Sequence, residues 1–205
     1  ADAACFSFYA TKVLTSGEGG VITTNNESLN SSVKSLRNHG KKEGSNVYDK
    51  VSNNYRMPEI SCLLGFHQIQ ILDDIISMRH KIAFEYCRNL KKIKGLRLLD
   101  GFKMNSDCSY WRFPIYLDDE IDRLDLQKKM KENHKIRITW MYDPLCHKQP
   151  VFKNFVDDSN QLFIAERYMQ KLVCLPCYPG LGNDDIERVC SGLEEELNKQ
   201  LENKY

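Results

Sequence analysis

The chain has 205 residues, 41% of them hydrophobic and 28% charged, with a formal net charge of +1. That balance describes an ordinary globular protein of one large or two small domains, with no electrostatic footprint for nucleic acid or an anionic membrane. No apolar run approaches the roughly 20 residues that span a bilayer, and residues 1 to 20 show no basic segment followed by an apolar core.

Residues 4 to 9 read as a β-strand, with Phe6 and Phe8 on one face and Cys5, Ser7 and Tyr9 on the other. Residues 20 to 24, GVITT, are a second strand. The stretch from Thr11 to Gly20 between them is too long and too glycine-rich for a tight hairpin. Its Thr11, Thr15, Ser16 and glycines permit close approach of backbone N–H groups to an anion. Lys12 stands among these hydroxyls, a suitable place to hold a molecule with both an aldehyde and a phosphate; a solvated surface lysine is the plain alternative. A strand this rich in Phe, Cys and Tyr needs neighbours and apolar cover. Its position next to Ala1, with no initial Met, therefore reads as the middle of a domain.

Asn25 or Asn26 is expected to cap a helix whose Leu29, Val33 and Leu36 recur at helical spacing. Gly40 ends it, with Arg37 and His39 in the last turn. The polar stretch 41 to 54 reads as a surface loop. Pro58 suits the first turn of a helix that runs without internal proline to about Lys92. This is a long connecting helix, bent near Asp73 and Asp74 and closed by Lys94–Gly95. After residue 95 short elements alternate: strands at 96–99, 109–117, 136–141 and 172–175, and helices at 120–133, 160–171 and 183–202. Asn183 would cap the last helix, and Ile186, Val189, Leu193 and Leu197 form its apolar stripe. The expected division is 1–57, a connecting helix 58–94, and a small α/β domain 95–205.

The eight cysteines are scattered and read as free, buried thiols of a cytoplasmic protein. The single C-x-x-C, Cys174 to Cys177, has no second pair, so no metal site is expected. The Asp-rich stretches at 118–122 and 184–185 read as helix starts. His39, His67, His80 and His134 lie in no obvious constellation.

The run CFSFYATKVLTSGEGGVITT, residues 5 to 24, resembles the signature of the sugar aminotransferases that use pyridoxal 5'-phosphate (the DegT–StrS type, fold type I). Its Ser-Phe-x-x-x-Lys is followed by Gly-Glu-Gly-Gly and a strand. SLRNHG at 35–40, NNYRMPEISCLLG at 53–65 and LPCYPGLGNDDIERV at 175–189 resemble later family segments, in family order. The resemblance implies the C-terminal part of the large domain, joined by a long helix to a small α/β domain. It implies that Lys12 is the lysine that binds the cofactor and moves a proton, and that Ser7 meets the cofactor phosphate. Asn54 and Arg56 match an Asn-x-Arg that reaches a partner's phosphate across a homodimer, and a guanidinium fork suits that anion. Related dehydratases carry histidine where Lys12 stands, so transamination is favoured.

His147, in YDPLCHKQPVF, resembles a substrate-side histidine, with Cys146 as a one-residue departure from the commoner spacing. The implied substrates are an amino acid, glutamate by default, and a nucleotide-linked keto sugar. Upstream of the lysine strand the family carries an Asp for the pyridinium nitrogen, so these 205 residues alone are not expected to be a competent transaminase. A non-catalytic dimerisation or binding remnant, and a non-sugar member of the family, are the other readings.

Overall fold

A computed structural model of the chain describes residues 1–99, 108–155 and 162–203. The chain divides into two compact units, Ala1–Ile75 and Ile76–Tyr205. In the first, β1 (Ala4–Ser7) pairs antiparallel with β2 (Gly20–Thr23), with Ser7 opposite Gly20. β1 is shorter than expected because the Ser7 hydroxyl accepts the Tyr9 N–H and the chain begins to turn there. Helix α1 (Glu27–Arg37) is capped by Asn26, whose Oδ1 accepts the Leu29 N–H at 3.0 Å. The expected single long helix is two, α2 (Glu59–Gln70) and α3 (Leu72–Leu90), broken at Ile71 rather than at Asp73. Pro58 precedes α2 at the cap position instead of lying inside the first turn.

The second unit is built on an antiparallel sheet of order β3-β4-β5: Leu96–Leu98, Phe113–Leu117 and Leu172–Leu175. Phe113, Ile115 and Leu117 of β4 and Val173 and Leu175 of β5 join one core. Tyr86 and Leu90 of α3, Leu126 and Met130 of α4 (Arg123–His134), and the stripe of α6 (Asn183–Glu202) complete it. Ile186, Val189, Leu193 and Leu197 are all buried, as the 3.6-residue period requires. On the other face Tyr116 packs on Tyr168 of α5 (Phe163–Lys171), with ring centroids 5.0 Å apart. Burial pushes the Tyr86 hydroxyl up, and it donates to the Pro176 carbonyl at 2.9 Å.

Several expected boundaries move for local reasons. β4 begins at Phe113, not at residue 109, because Arg79 takes the Tyr110 and Trp111 carbonyls at 3.0 and 3.4 Å. Pro114 is tolerated in this central strand. Its partner Cys174 turns both backbone groups to Thr139, so the Pro114–Cys174 pair needs no bond between them. The expected strand 136–141 reduces to one bridge, Thr139 to Cys174. Gln127 Nε2 occupies the Ile138 carbonyl at 2.9 Å, and Tyr142 adopts a positive φ of 45°. The α6 cap is Gly182, without a side-chain bond, and Asn183 is the first helical residue. Asp122 caps α4 by accepting from Leu124 and Asp125, and Asp184 and Asp185 stand in the first turn of α6. Residues 160 and 161 of the expected helix 160–171 lie outside the described residues.

All eight cysteines are free. The expectation of burial holds for Cys174 and Cys190; Cys5, Cys62 and Cys146 are exposed, on segments whose apolar neighbours cover little. No described helix is long and apolar enough to cross a membrane.

Candidate active site

Ser7 and Lys12 are tied to one another through Tyr9. The Ser7 hydroxyl accepts the Tyr9 N–H at 3.3 Å, and the Tyr9 carbonyl accepts the Lys12 N–H at 2.9 Å. This turn shortens the reach of up to about 17 Å that five extended residues would span. The Ser7 oxygen is used as an acceptor, which leaves its own O–H to donate to a ligand. Ser7 is exposed and Lys12 half-buried.

The rest of the loop is held by Phe8. Its N–H donates to Gly19 O at 2.9 Å, and its carbonyl accepts from Ser16 N–H at 2.9 Å and Thr15 Oγ1 at 3.2 Å. Thr15 Oγ1 in turn accepts the Gly17 N–H at 3.0 Å, and Ser16 Oγ donates to Glu18 O at 2.8 Å. The Ser16 and Gly17 amides are therefore committed inside the loop, not held open to an anion as their composition suggested. The loop is a braced platform for Lys12. The Phe8 ring lies against Gly65 of α2, where an added Cβ would stand 3.2 Å from it.

The C-terminus of α1 positions Asn54 and Arg56. His39 takes a left-handed conformation, and the Gly40 N–H returns to Ser35 O at 2.9 Å, the long bond of a Schellman ending. Segment 52–55 satisfies the remaining carbonyls: Ser52 Oγ donates to Leu36 O at 2.7 Å and Tyr55 N–H to Arg37 O at 2.9 Å. Asn54 Oδ1 then accepts both the N–H and the Nε of Arg56 at 3.1 Å. This fixes the guanidinium while leaving its outer nitrogens unused by Asn54. Arg56 lines a cavity of about 780 Å³ with Lys34, Arg37, Lys41 and Lys42. Among the described residues that line it, the one carboxylate, Glu43, pairs with Lys34 at 3.6 Å. The surplus of positive charge suits a polyanion.

His147 belongs to the second unit, in a short 3-10 turn (Cys146–Lys148). Its Nε2 meets Glu166 Oε1 at 3.0 Å, and Lys148 pairs with the other oxygen of the same carboxylate. The hydrogen bonds from Lys148 and His147 hold the Glu166 carboxyl below its usual range. A second histidine cluster joins His134 to Glu195 and Glu196. Lys199 Nζ already lies 2.6 and 3.0 Å from these two carboxylates, so a cation occupies their charge.

Residues 1–194 match the profile of the DegT/DnrJ/EryC1/StrS aminotransferase family. The chain belongs to that family. It is 30% identical over 210 residues to the spore coat polysaccharide biosynthesis protein SpsC of Bacillus subtilis, covering 95% of this chain and 53% of SpsC. It is 28% identical to the GDP-perosamine synthase of Vibrio cholerae, covering 96% of this chain and 53% of that protein. The solved structure of NtdA from Bacillus subtilis, with bound cofactor PMP, superposes with a TM-score of 0.87 at 23% identity, over 97% of this chain and 46% of NtdA. The fold is thus that of the fold type I aminotransferases, and the chain spans about half the length of these relatives. DegT-family aminotransferases are pyridoxal phosphate-dependent.

Of the residues expected from the sequence, the structure brings Ser7 and Lys12 into one turn and Asn54 and Arg56 into one bracket. His147 is in the other unit. Glu166 and the basic groove were not anticipated. The groove had a signal in the spacing of Lys34, Arg37, Lys41 and Lys42 about Gly40. Glu166 had none, because its partners lie 18 and 19 positions away in sequence.

Proposed function

We propose that the chain carries the lysine-bearing part of a pyridoxal phosphate-dependent aminotransferase that moves an amino group from an amino acid, glutamate by default, to a nucleotide-linked keto sugar. The observation that carries this reading is Lys12, half-buried on its braced turn and linked through Tyr9 to the Ser7 hydroxyl. The donor set fits the cofactor: a primary amine for an aldehyde, a hydroxyl with a proton to give, and a guanidinium fork for a phosphate. When bound, pyridoxal 5'-phosphate supplies the sink for the electrons left at the substrate carbon.

The residues of this chain do the rest. Lys12 holds the cofactor and then carries the proton to and from the reacting carbon, work that needs an amine able to lose its own proton. Ser7 would donate its O–H to the cofactor phosphate. Asn54 and Arg56 serve the phosphate of a second copy, in a cytoplasmic homodimer. The exposed apolar residues Ile60, Leu63 and Phe66 of α2 support such a partner. The basic groove beside Arg56 suits the diphosphate of a nucleotide-linked sugar, and the GDP-perosamine synthase relative favours a sugar substrate over a non-sugar one. His147, held by Glu166 at 3.0 Å, is assigned a substrate-binding role on the resemblance of its segment alone.

The test is amino transfer from glutamate to nucleotide-linked 4-keto and 3-keto sugars by the full-length protein. Lys12→Ala should lower the rate by at least about a hundredfold while the protein stays folded. Transfer that survives the substitution contradicts the reading.

A further inference from the structure

A second cationic cleft lies in the unit Ile76–Tyr205, between the residues that lead into β4 and those that leave β5. It has a volume of about 250 Å³ and is lined by Arg112, Arg137, Thr139 and Trp111, with Pro176 and Cys177 on its other side. Among the described residues no carboxylate lines it.

Three features make it a built site. Arg112 is stacked by Trp111, with its guanidinium carbon 4.9 Å from the ring centroid, and Nη1 reaches the Thr139 hydroxyl at 3.5 Å. Its Nε is buried without a hydrogen-bond partner among the described residues, so the side chain is held but its charge is not neutralised. Behind the cleft stands Arg79, only 6% exposed. Its Nη1 donates to Tyr110 O and Cys177 O, both at 3.0 Å, and so stitches the two walls together. Among the described residues, every partner of Arg79 is a carbonyl or the Cys177 sulfur, and its Nε too is buried without a hydrogen-bond partner. Arg137 also edges a neighbouring cleft, whose Asp185 carboxylate is engaged by Arg188 at 3.4 Å.

Buried or half-buried cations without counter-ions are costly, and an anion bound in front of them removes much of that cost. The volume corresponds to about eight waters at ~30 Å³ each, too small for a nucleotide and ample for a small organic acid. A planar guanidinium with a neighbouring hydroxyl matches a carboxylate in shape as well as charge. We propose that this cleft binds the carboxylate of a small organic acid, with Arg112 and Arg137 as its charged ligands and Thr139 as a hydroxyl donor. The choice of a dicarboxylate probe rests on the aminotransferase reading, since glutamate and its 2-oxo acid are dicarboxylates; the binding itself does not.

The experiment titrates glutarate, which cannot react, into the 205-residue chain and follows the Trp111 indole resonance by NMR, with inorganic phosphate as the competing anion. Glutarate should shift Trp111 saturably and in preference to phosphate. R112Q and R137Q should each weaken binding by about tenfold or more, and R112K should weaken it too, because the charge remains but the fork is lost. Arg137 is exposed, so R137Q tests the site without disturbing the fold. Absence of a shift, equal affinity for phosphate, or unchanged affinity in R137Q would overturn the proposal. Failure here with amino transfer intact removes only this site; glutarate binding without any transfer removes only the aminotransferase reading.

Discussion

At the scale of single residues, the glycines show most directly how the site is held. Gly40 has a φ of 75°, and a Cβ there would stand 1.9 Å from the Lys50 carbonyl oxygen. No side chain can flex to relieve that clash, because the atom it meets is backbone. Gly40→Ala should therefore cost about 2–3 kcal/mol in denaturant unfolding, and it should loosen the ending of α1 that fixes Asn54 and Arg56. The same substitution at Gly44, whose φ is also positive but which faces open space, should cost about 1 kcal/mol. Equal losses at the two positions would mean that the Lys50 contact is not rigid.

At the scale of elements, α4 and α6 are joined by a buried carboxylate. Glu196 is 3% exposed and accepts from Asn133, His134 and Lys199, each at 3.0 Å. Burial alone would raise its pKa, but these hydrogen bonds outweigh burial and hold it at about 2, below its ordinary 4.5. A depressed carboxylate adds stability that is complete above the unfolded value and is lost as pH falls toward the folded one. The protein should lose on the order of 3 kcal/mol between about pH 4.5 and 2 through this group. Glu196→Gln should start less stable at neutral pH and lack that part of the acid slope. An unchanged slope in chemical denaturation across this window would remove Glu196 as its source.

These elements also show what a sequence can reveal. The α6 stripe and the Asn26 cap were legible because a helix reports itself through spacing within one segment. The turn that carries Lys12 was legible too, because its glycines and hydroxyls are contiguous. The start of β4 was not legible, since it depends on Arg79 claiming the Tyr110 and Trp111 carbonyls from 31 and 32 residues away. Nor was the loss of the strand at 136–141, which turns on one Gln127 bond to Ile138. Glu166 beside His147 and the cleft of Arg112 are contacts of the same long-range kind. Local chemistry writes itself into a sequence; partners chosen by folding do not.

At the scale of the whole molecule, the proposed assembly and chemistry depend on surfaces that one copy leaves open. Ile60, Leu63 and Phe66 are exposed on α2 by 79, 58 and 59%, on the element that follows Arg56. In the full-length protein, Ile60→Glu with Leu63→Glu should convert a dimer into monomer in sedimentation and remove amino transfer with it. A dimer unaffected by both charges would place the partner elsewhere. That chemistry turns on Lys12, the lysine proposed to hold the cofactor. Borohydride reduction of the full-length protein with pyridoxal 5'-phosphate, followed by peptide mass mapping, tests it most directly. The predicted result is one reduced cofactor adduct, on Lys12 and lost in Lys12→Ala; an adduct on another lysine, or none on folded protein, contradicts it.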